Sequence, residues 1–195
     1  MLTPTAAAHA ADMIQEHDLL TARFHNLDTT LVSGALRQMT QMVYKPNHYG
    51  IYELVPPEIY SVYGESSLWW VDARQAWTAD AIWERFNSAS KLERWPVSGE
   101  KRRIWINNWR WGGPRKYSGF RPPDCSEGSP LSQHRCSRAT DMIIEGITAE
   151  EVREDIRTHL SVSAYQFITA VELDVDWLHT DCRNTGSDQI MWIKP

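Results

Sequence analysis

The sequence has no uninterrupted apolar run of about 18 residues, the length a helix needs to cross a bilayer. A membrane-spanning helix is therefore not expected. Positive charge is not in excess either: 20 Lys and Arg stand against 25 Asp and Glu, a formal net charge of −5. Without a basic stripe to gather phosphates, a nucleic-acid partner is not expected. Cysteine is scarce. Cys125, Cys136 and Cys182 are too few for a disulfide framework, and three free thiols are the simplest expectation. The N-terminus lacks the marks of a secretory leader: its first basic residue is Arg23, and the Ala-rich stretch before it is short and interrupted by His9.

What is present is ordinary globular composition, 42% hydrophobic and 23% charged over 195 residues, enough to bury one core. The unusual feature is ten tryptophans. Tryptophan fills cores, and it also lines clefts that bind sugars and peptides.

Residues 1–48 read as a helical N-terminal extension. Met13, Ile14, Leu19, Leu20 and Phe24 recur near helical spacing, as do Leu31, Leu36, Met39 and Val43, before Lys45-Pro46-Asn47 breaks the pattern. The expected partner of this extension is the remaining chain, a second copy or a neighbouring assembly protein. Residues 49–195 read as one domain. Residues 51–55 predict a strand that stops at Pro56-Pro57, and 78–86 a helix capped by Thr78. Residues 103–111 alternate as a strand with Ile104 and Ile106 on one face and Trp105, Trp109 and Trp111 on the other. A strand follows at 140–144. Thr148 and Glu151 then form a capping box for a helix carrying Val152, Ile156 and Leu160 on one stripe. Strands at 167–175 and 177–183 complete an α+β pattern, a central antiparallel sheet with flanking helices.

Four stretches in this domain carry residue types suited to metal-assisted hydrolysis. Such chemistry needs three His or carboxylate ligands, an open position for water, a general base and a donor for the developing oxyanion. Ser132-Gln133-His134 is followed by Asp141, seven positions beyond the histidine. Asp176-Trp177-Leu178-His179 places a carboxylate three positions before a second histidine, and an ideal strand would point the two apart unless the chain bends before Trp177. His179, Asp181 and Arg183 alternate onto one face. Tyr117-Ser118-Gly119-Phe120-Arg121-Pro122-Pro123 is a rigid turn able to aim Arg121 into a pocket. Trp105, Trp109 and Trp111 form a candidate aromatic wall. Taken singly, each stretch also has a plain structural reading: a loop histidine, surface acids, an arginine in a surface turn, core packing.

Together and in this order, SGFRPP, SQH with its distant Asp, and DWLHTD resemble the zinc D-Ala-D-Ala carboxypeptidases and L-Ala-D-Glu endopeptidases. These are hedgehog-like peptidoglycan metallopeptidases, and INNWRWGG is similar to their phage and prophage members. The resemblance covers about residues 51–195. It implies a hedgehog-like fold, a Zn2+ ion on His134, Asp141 and His179, Asp176 as general base and Arg121 as electrostatic stabiliser. Trp109, Trp111 and Ser132 are the expected substrate-binding residues, and a peptidoglycan stem peptide the expected substrate. Family members usually carry Gly where Ser137 stands here, and serine occupies a left-handed turn only at some cost, so this departure bears on the loop geometry more than on the ligand chemistry. An endolysin-like or virion-borne enzyme is implied, present in the bacterial cytoplasm before lysis or in the particle and acting on the cell wall. The alternative is a phage virion structural or adaptor protein that carries a peptidase-like domain and docks through its N-terminal helices.

Overall fold

The computed structural model describes residues 43–88 and 100–195. The expected helices over 1–42 lie outside the described residues. Val43–Pro195 forms one compact unit. Its first residues are extended rather than helical, because Asp80 gathers them: its carboxylate accepts from the Tyr44 hydroxyl at 2.9 Å and from the Asn47 and His48 amides at 2.6 and 3.0 Å.

The stretch expected as a strand at 51–55 is instead the short helix α1 (Ile51–Leu54). Glu53 reaches back to the Gly50 amide at 2.8 Å, and Val55 donates to the Ile51 carbonyl at 3.1 Å. Ile51, Leu54 and Val55 are all buried, an i, i+3, i+4 set that one helical turn satisfies. Helix α2 (Pro57–Tyr63) starts with proline at its first position, where no amide is needed. Helix α3 (Ala73–Asn87) begins five residues before the expected Thr78. Asp72 caps it by accepting from the Arg74 amide, while the Thr78 hydroxyl donates to the Arg74 carbonyl inside the helix. Ala76, Ala79, Ile82 and Phe86 form its buried stripe.

The expected strand over 103–111 is only β1 (Ile104–Trp105). Asn108 ends it: its amide donates to the Arg115 carbonyl, and its side-chain oxygen accepts from the Arg115 amide. This closes a loop in which Trp109–Trp111 form a 3-10 turn and Gly112 takes φ +80°. Strand β2 (Ala139–Ile144) and helix α4 (Ala149–Thr158), with its Thr148–Glu151 capping box, lie close to expectation. Leu160 falls beyond the end of α4 and is exposed, so the buried stripe is Val152 and Ile156. Strand β3 (Ala170–Glu172) is shorter than the expected 167–175, because Asp174 turns left-handed at φ +58°. Strands β4 (Leu178–Asp181) and β5 (Met191–Ile193) complete a five-stranded sheet of order β1-β2-β4-β3-β5.

The fold is α+β, but the sheet is mixed. The first four strands pair antiparallel, and β5 runs parallel to β3. The chain reverses after β4 yet lands on the far side of β3, which makes β5 antiparallel to β4 and parallel to its actual neighbour. Helix α3 covers one sheet face: Gln75 donates to the Thr140 and Thr180 hydroxyls at 2.6 and 3.2 Å. Helices α3 and α4 are joined by a buried ion pair. Arg85 donates from Nη2 to Asp155 Oδ1 at 2.7 Å and from Nε to Asp155 Oδ2, and the Tyr165 hydroxyl donates to the same carboxylate.

Removing one partner of that pair strands the other charge in the core, at a cost of about 3–5 kcal/mol. Asp155→Ala is therefore expected to lower the urea-unfolding free energy by about that amount. The double substitution Arg85→Met with Asp155→Leu should recover most of the loss. A single variant as stable as the parent would show that the pair does not hold α3 to α4.

Candidate metal centre

Two candidate ligands are positioned by sheet register. Asp141 of β2 lies directly opposite His179 of β4, so both side chains project from the same face. The opposite face, carrying Thr140 and Thr180, is the one under α3. The third ligand, His134, comes from the 3-10 turn Gln133–Cys136 that precedes β2. That turn closes with Ser137 at φ +56°, a left-handed position, where the Ser137 amide donates to the His134 carbonyl at 3.1 Å. The turn geometry is thus kept without glycine.

The SGF segment is wedged between α1 and β2. The Phe120 amide donates to the Leu54 carbonyl at 2.7 Å, and the Asp141 amide to the Ser118 carbonyl at 2.7 Å. A side chain on Gly119 would place its Cβ 2.2 Å from the Leu54 carbonyl oxygen, so only glycine fits. The Gly119 carbonyl then accepts from His134 Nδ1 at 2.8 Å. A carbonyl only accepts, so Nδ1 carries the proton and Nε2 presents its lone pair. On the other side, His179 Nε2 lies 3.3 Å from Asp181 Oδ2, a carboxylate that is fully buried and held by Arg183 Nε at 2.9 Å. This leaves His179 Nδ1 facing inward.

The three inward-facing atoms converge. His134 Nε2 is 3.3 Å from His179 Nδ1 and 3.2 Å from Asp141 Oδ1, and His179 Nδ1 is 2.7 Å from Asp141 Oδ1. All three residues are buried. Ligands bound at 2.0–2.1 Å around a tetrahedral ion stand about 3.3 Å apart, so two of the three separations already suit one ion and the third opens by about half an ångström. Two imidazoles with fixed tautomers and one carboxylate form a donor set that could hold a metal ion.

The electrostatics point the same way. Burial raises the Asp141 carboxyl, but the flanking His134 and His179 outweigh it and hold the group well below the usual carboxylate range. Burial lowers His179, but the Asp141 and Asp181 carboxylates outweigh it and push the imidazole up to about 9. Without a cation, a proton on His179 neutralises the buried Asp141.

Beside the three ligands opens a cavity of about 590 Å³, lined also by Arg121, Ser132, Glu172, Trp177 and Arg183. Arg121 Nη2 lies 3.9 Å from Asp141 Oδ2, while its Nε and Nη2 donate to the Tyr117 carbonyl at 3.2 and 3.1 Å. Ser132 also lines the cavity. Three other sequence expectations lie apart from the cavity wall. Asp176 is exposed in the turn before β4. Trp109 donates its indole N–H to the Val55 carbonyl at 3.1 Å, and exposed Trp111 meets Tyr52 edge-on at 5.6 Å. These tryptophans form an aromatic cluster with Tyr52 and Tyr60 rather than a wall of this cavity. The three cysteines are free thiols outside the ligand group. Sequence reasoning missed Glu172 as a cavity residue and Asp181 and the Gly119 carbonyl as orienting groups. The alternation of His179 with Asp181 did carry a signal for the second of these. Compared with protein-family models, curated proteins and solved structures, the chain returns no match.

A metal ion must displace the His179 proton, so affinity should depend on pH. Below about 9 the metal-free imidazole is protonated, and each unit of acidification should weaken binding about tenfold. Calorimetric titration with Zn2+ at pH 6.5 and 7.5 checks this, and His134→Ala should abolish tight binding at both. Equal affinity at the two pH values would mean that no proton is displaced.

Proposed function

We propose that the chain is a zinc peptidase of the hedgehog-like kind that hydrolyses a peptide bond in bacterial peptidoglycan. The observation that carries this reading is the convergence of His134, Asp141 and His179, from motifs up to 45 residues apart, on one point at the edge of a cavity that Arg121 also enters. The order SGFRPP, SQH, DWLHTD supports it from the sequence side.

His134 and His179 would hold the ion through Nε2 and Nδ1, and Asp141 through its carboxylate. The Gly119 carbonyl and the Asp181 carboxylate keep each imidazole in the tautomer that presents a lone pair. Bound zinc supplies a Lewis acid that polarises the scissile carbonyl and makes water nucleophilic near neutral pH. The Arg121 guanidinium, fixed by the Tyr117 carbonyl, offers positive charge to the oxygen that becomes negative as the carbonyl is attacked. The cavity at about 590 Å³ has room for a short peptide segment.

Purified protein loaded with zinc should release free amino groups from isolated sacculi, with the cleaved bond read by mass spectrometry. A chelator or His134→Ala should remove the activity, and Arg121→Ala should lower kcat by about 10²–10³ with zinc content unchanged. Stoichiometric zinc without any amine release would overturn the peptidase reading in favour of a metal-binding module.

A further inference from the structure

We propose that Glu172, rather than Asp176, is the carboxylate that takes the proton from the attacking water. The proposal rests on the peptidase reading above and deepens it.

Strand register makes the argument. In the β3/β4 pairing Ala170 faces Asp181 and Val171 faces Thr180. One step further along the same ladder sets Glu172 opposite His179. His179 is itself opposite Asp141 across β2/β4. Asp141, His179 and Glu172 therefore form one row across three adjacent strands, all on the face that carries the metal group. Glu172 Oε2 lies 3.8 Å from His179 Nδ1, the nitrogen that faces inward. That separation is too long for a direct hydrogen bond and leaves the carboxylate beside the metal group. Glu172 lines the cavity yet stands outside the three-residue ligand group. It is placed to receive a proton rather than to bind the ion.

The backbone holds Glu172 there. Buried Arg153 of α4 donates to the Glu172 carbonyl at 2.8 Å, and to the Val175 and Trp177 carbonyls at 2.6 and 3.0 Å. Both ends of the β3–β4 turn are thus pinned by one guanidinium. On the outer side Glu172 pairs with Ile193 of β5, and the Leu173 amide donates to the Ile193 carbonyl at 2.7 Å. Within this clamped turn Trp177 faces the cavity while Asp176 is exposed.

The step balances as follows. Water oxygen bonds to the scissile carbonyl carbon, the carbonyl π pair moves onto its oxygen, and one water proton passes to Glu172 Oε2. The carbon–nitrogen bond then breaks with its electron pair going to nitrogen. The oxyanion pair re-forms the carbonyl as that bond breaks, and the proton held by Glu172 transfers to the nitrogen, giving a free amine and a carboxylic acid that loses the second water proton to solvent.

The test compares zinc-loaded parent, Glu172→Gln and Asp176→Asn for amine release from sacculi, zinc affinity by calorimetry and thermal melting. Glu172→Gln should keep zinc affinity within about threefold and lose hydrolysis by about 10²–10⁴. Asp176→Asn should stay within about twofold of the parent in both. If Glu172→Gln fails to fold, Glu172→Asp carries the same reading: zinc retained, and kcat at least about tenfold down from a retracted carboxylate. Parental turnover in Glu172→Gln, or a collapse in Asp176→Asn, overturns the assignment. So does loss of zinc in Glu172→Gln, which would make the residue a ligand. A parent that binds zinc but releases no amine overturns the peptidase reading itself and the proton-accepting role with it, a result distinct from an active parent with an active Glu172→Gln.

Discussion

The register of three short antiparallel strands determines what this chain can do. Strands β2, β4 and β3 are only six, four and three residues long, yet their pairing places Asp141, His179 and Glu172 in one line. A slip of one residue in either ladder would turn that line to the opposite face, into the packing layer of α3. The opposite row prevents the slip. Thr140 and Thr180 meet a single donor, the Gln75 amide, and Val171 beside them is completely buried. One polar bridge inside the core thereby fixes the spacing of groups on the far side of the sheet. A helix on the opposite face of the sheet is thus part of what keeps these groups in register.

The third ligand depends on a different constraint, close approach of backbone to backbone. His134 reaches the centre from a loop, and its orientation is inherited from Gly119, which is itself pressed against the Leu54 carbonyl. The last carbonyls of α1 serve the same neighbourhood: Glu53 accepts from the Asn107 amide, Leu54 from Phe120, and Val55 from the Trp109 indole. This explains why residues 51–55 matter although they form a single helical turn. That turn exposes three carbonyls in a cluster, where a strand would have sent alternate ones in opposite directions.

Much of the candidate site was legible in the sequence because its candidate ligands sit in short motifs whose chemistry is local. Ser132 to His134, Asp141, His179 and the Arg121 turn were all identifiable from residue type and order, and β2 and α4 from apolar alternation and the Thr148–Glu151 box. The failures share a physical cause. Ile51, Leu54 and Val55 suit a strand by composition and a helical turn by spacing, and the Gly50–Glu53 contact decides it. Residues 103–111 alternate convincingly, but Asn108 and Arg115 form a closed loop that ends the strand early. The parallel placement of β5 cannot be read from hydropathy at all, since alternation records which face is buried and not which neighbour is paired. Asp176 drew attention by standing three residues from His179. Glu172, seven residues away, is the closer of the two to the centre only because a hairpin folds it back across the ladder.

Charge balance explains why the assembled centre could hold a cation. Asp181 is buried but answered by Arg183, which contacts both of its carboxylate oxygens. Asp155 is answered in the same way by Arg85. Asp141 has no such partner: the nearest guanidinium, on Arg121, is 3.9 Å away and directed to the Tyr117 carbonyl. A buried carboxylate without a compensating charge is strongly disfavoured. The fold supplies that charge as a proton on His179, held up near 9 by the carboxylates on either side of the ring. A divalent ion at the same point meets the identical electrostatic demand and carries more charge, with both imidazoles already turned toward it. A proton and a metal ion would thus compete for one position that the sheet register, the Gly119 carbonyl and Asp181 define. The unmatched charge on Asp141 is what turns a well-packed α+β domain into a candidate reaction centre.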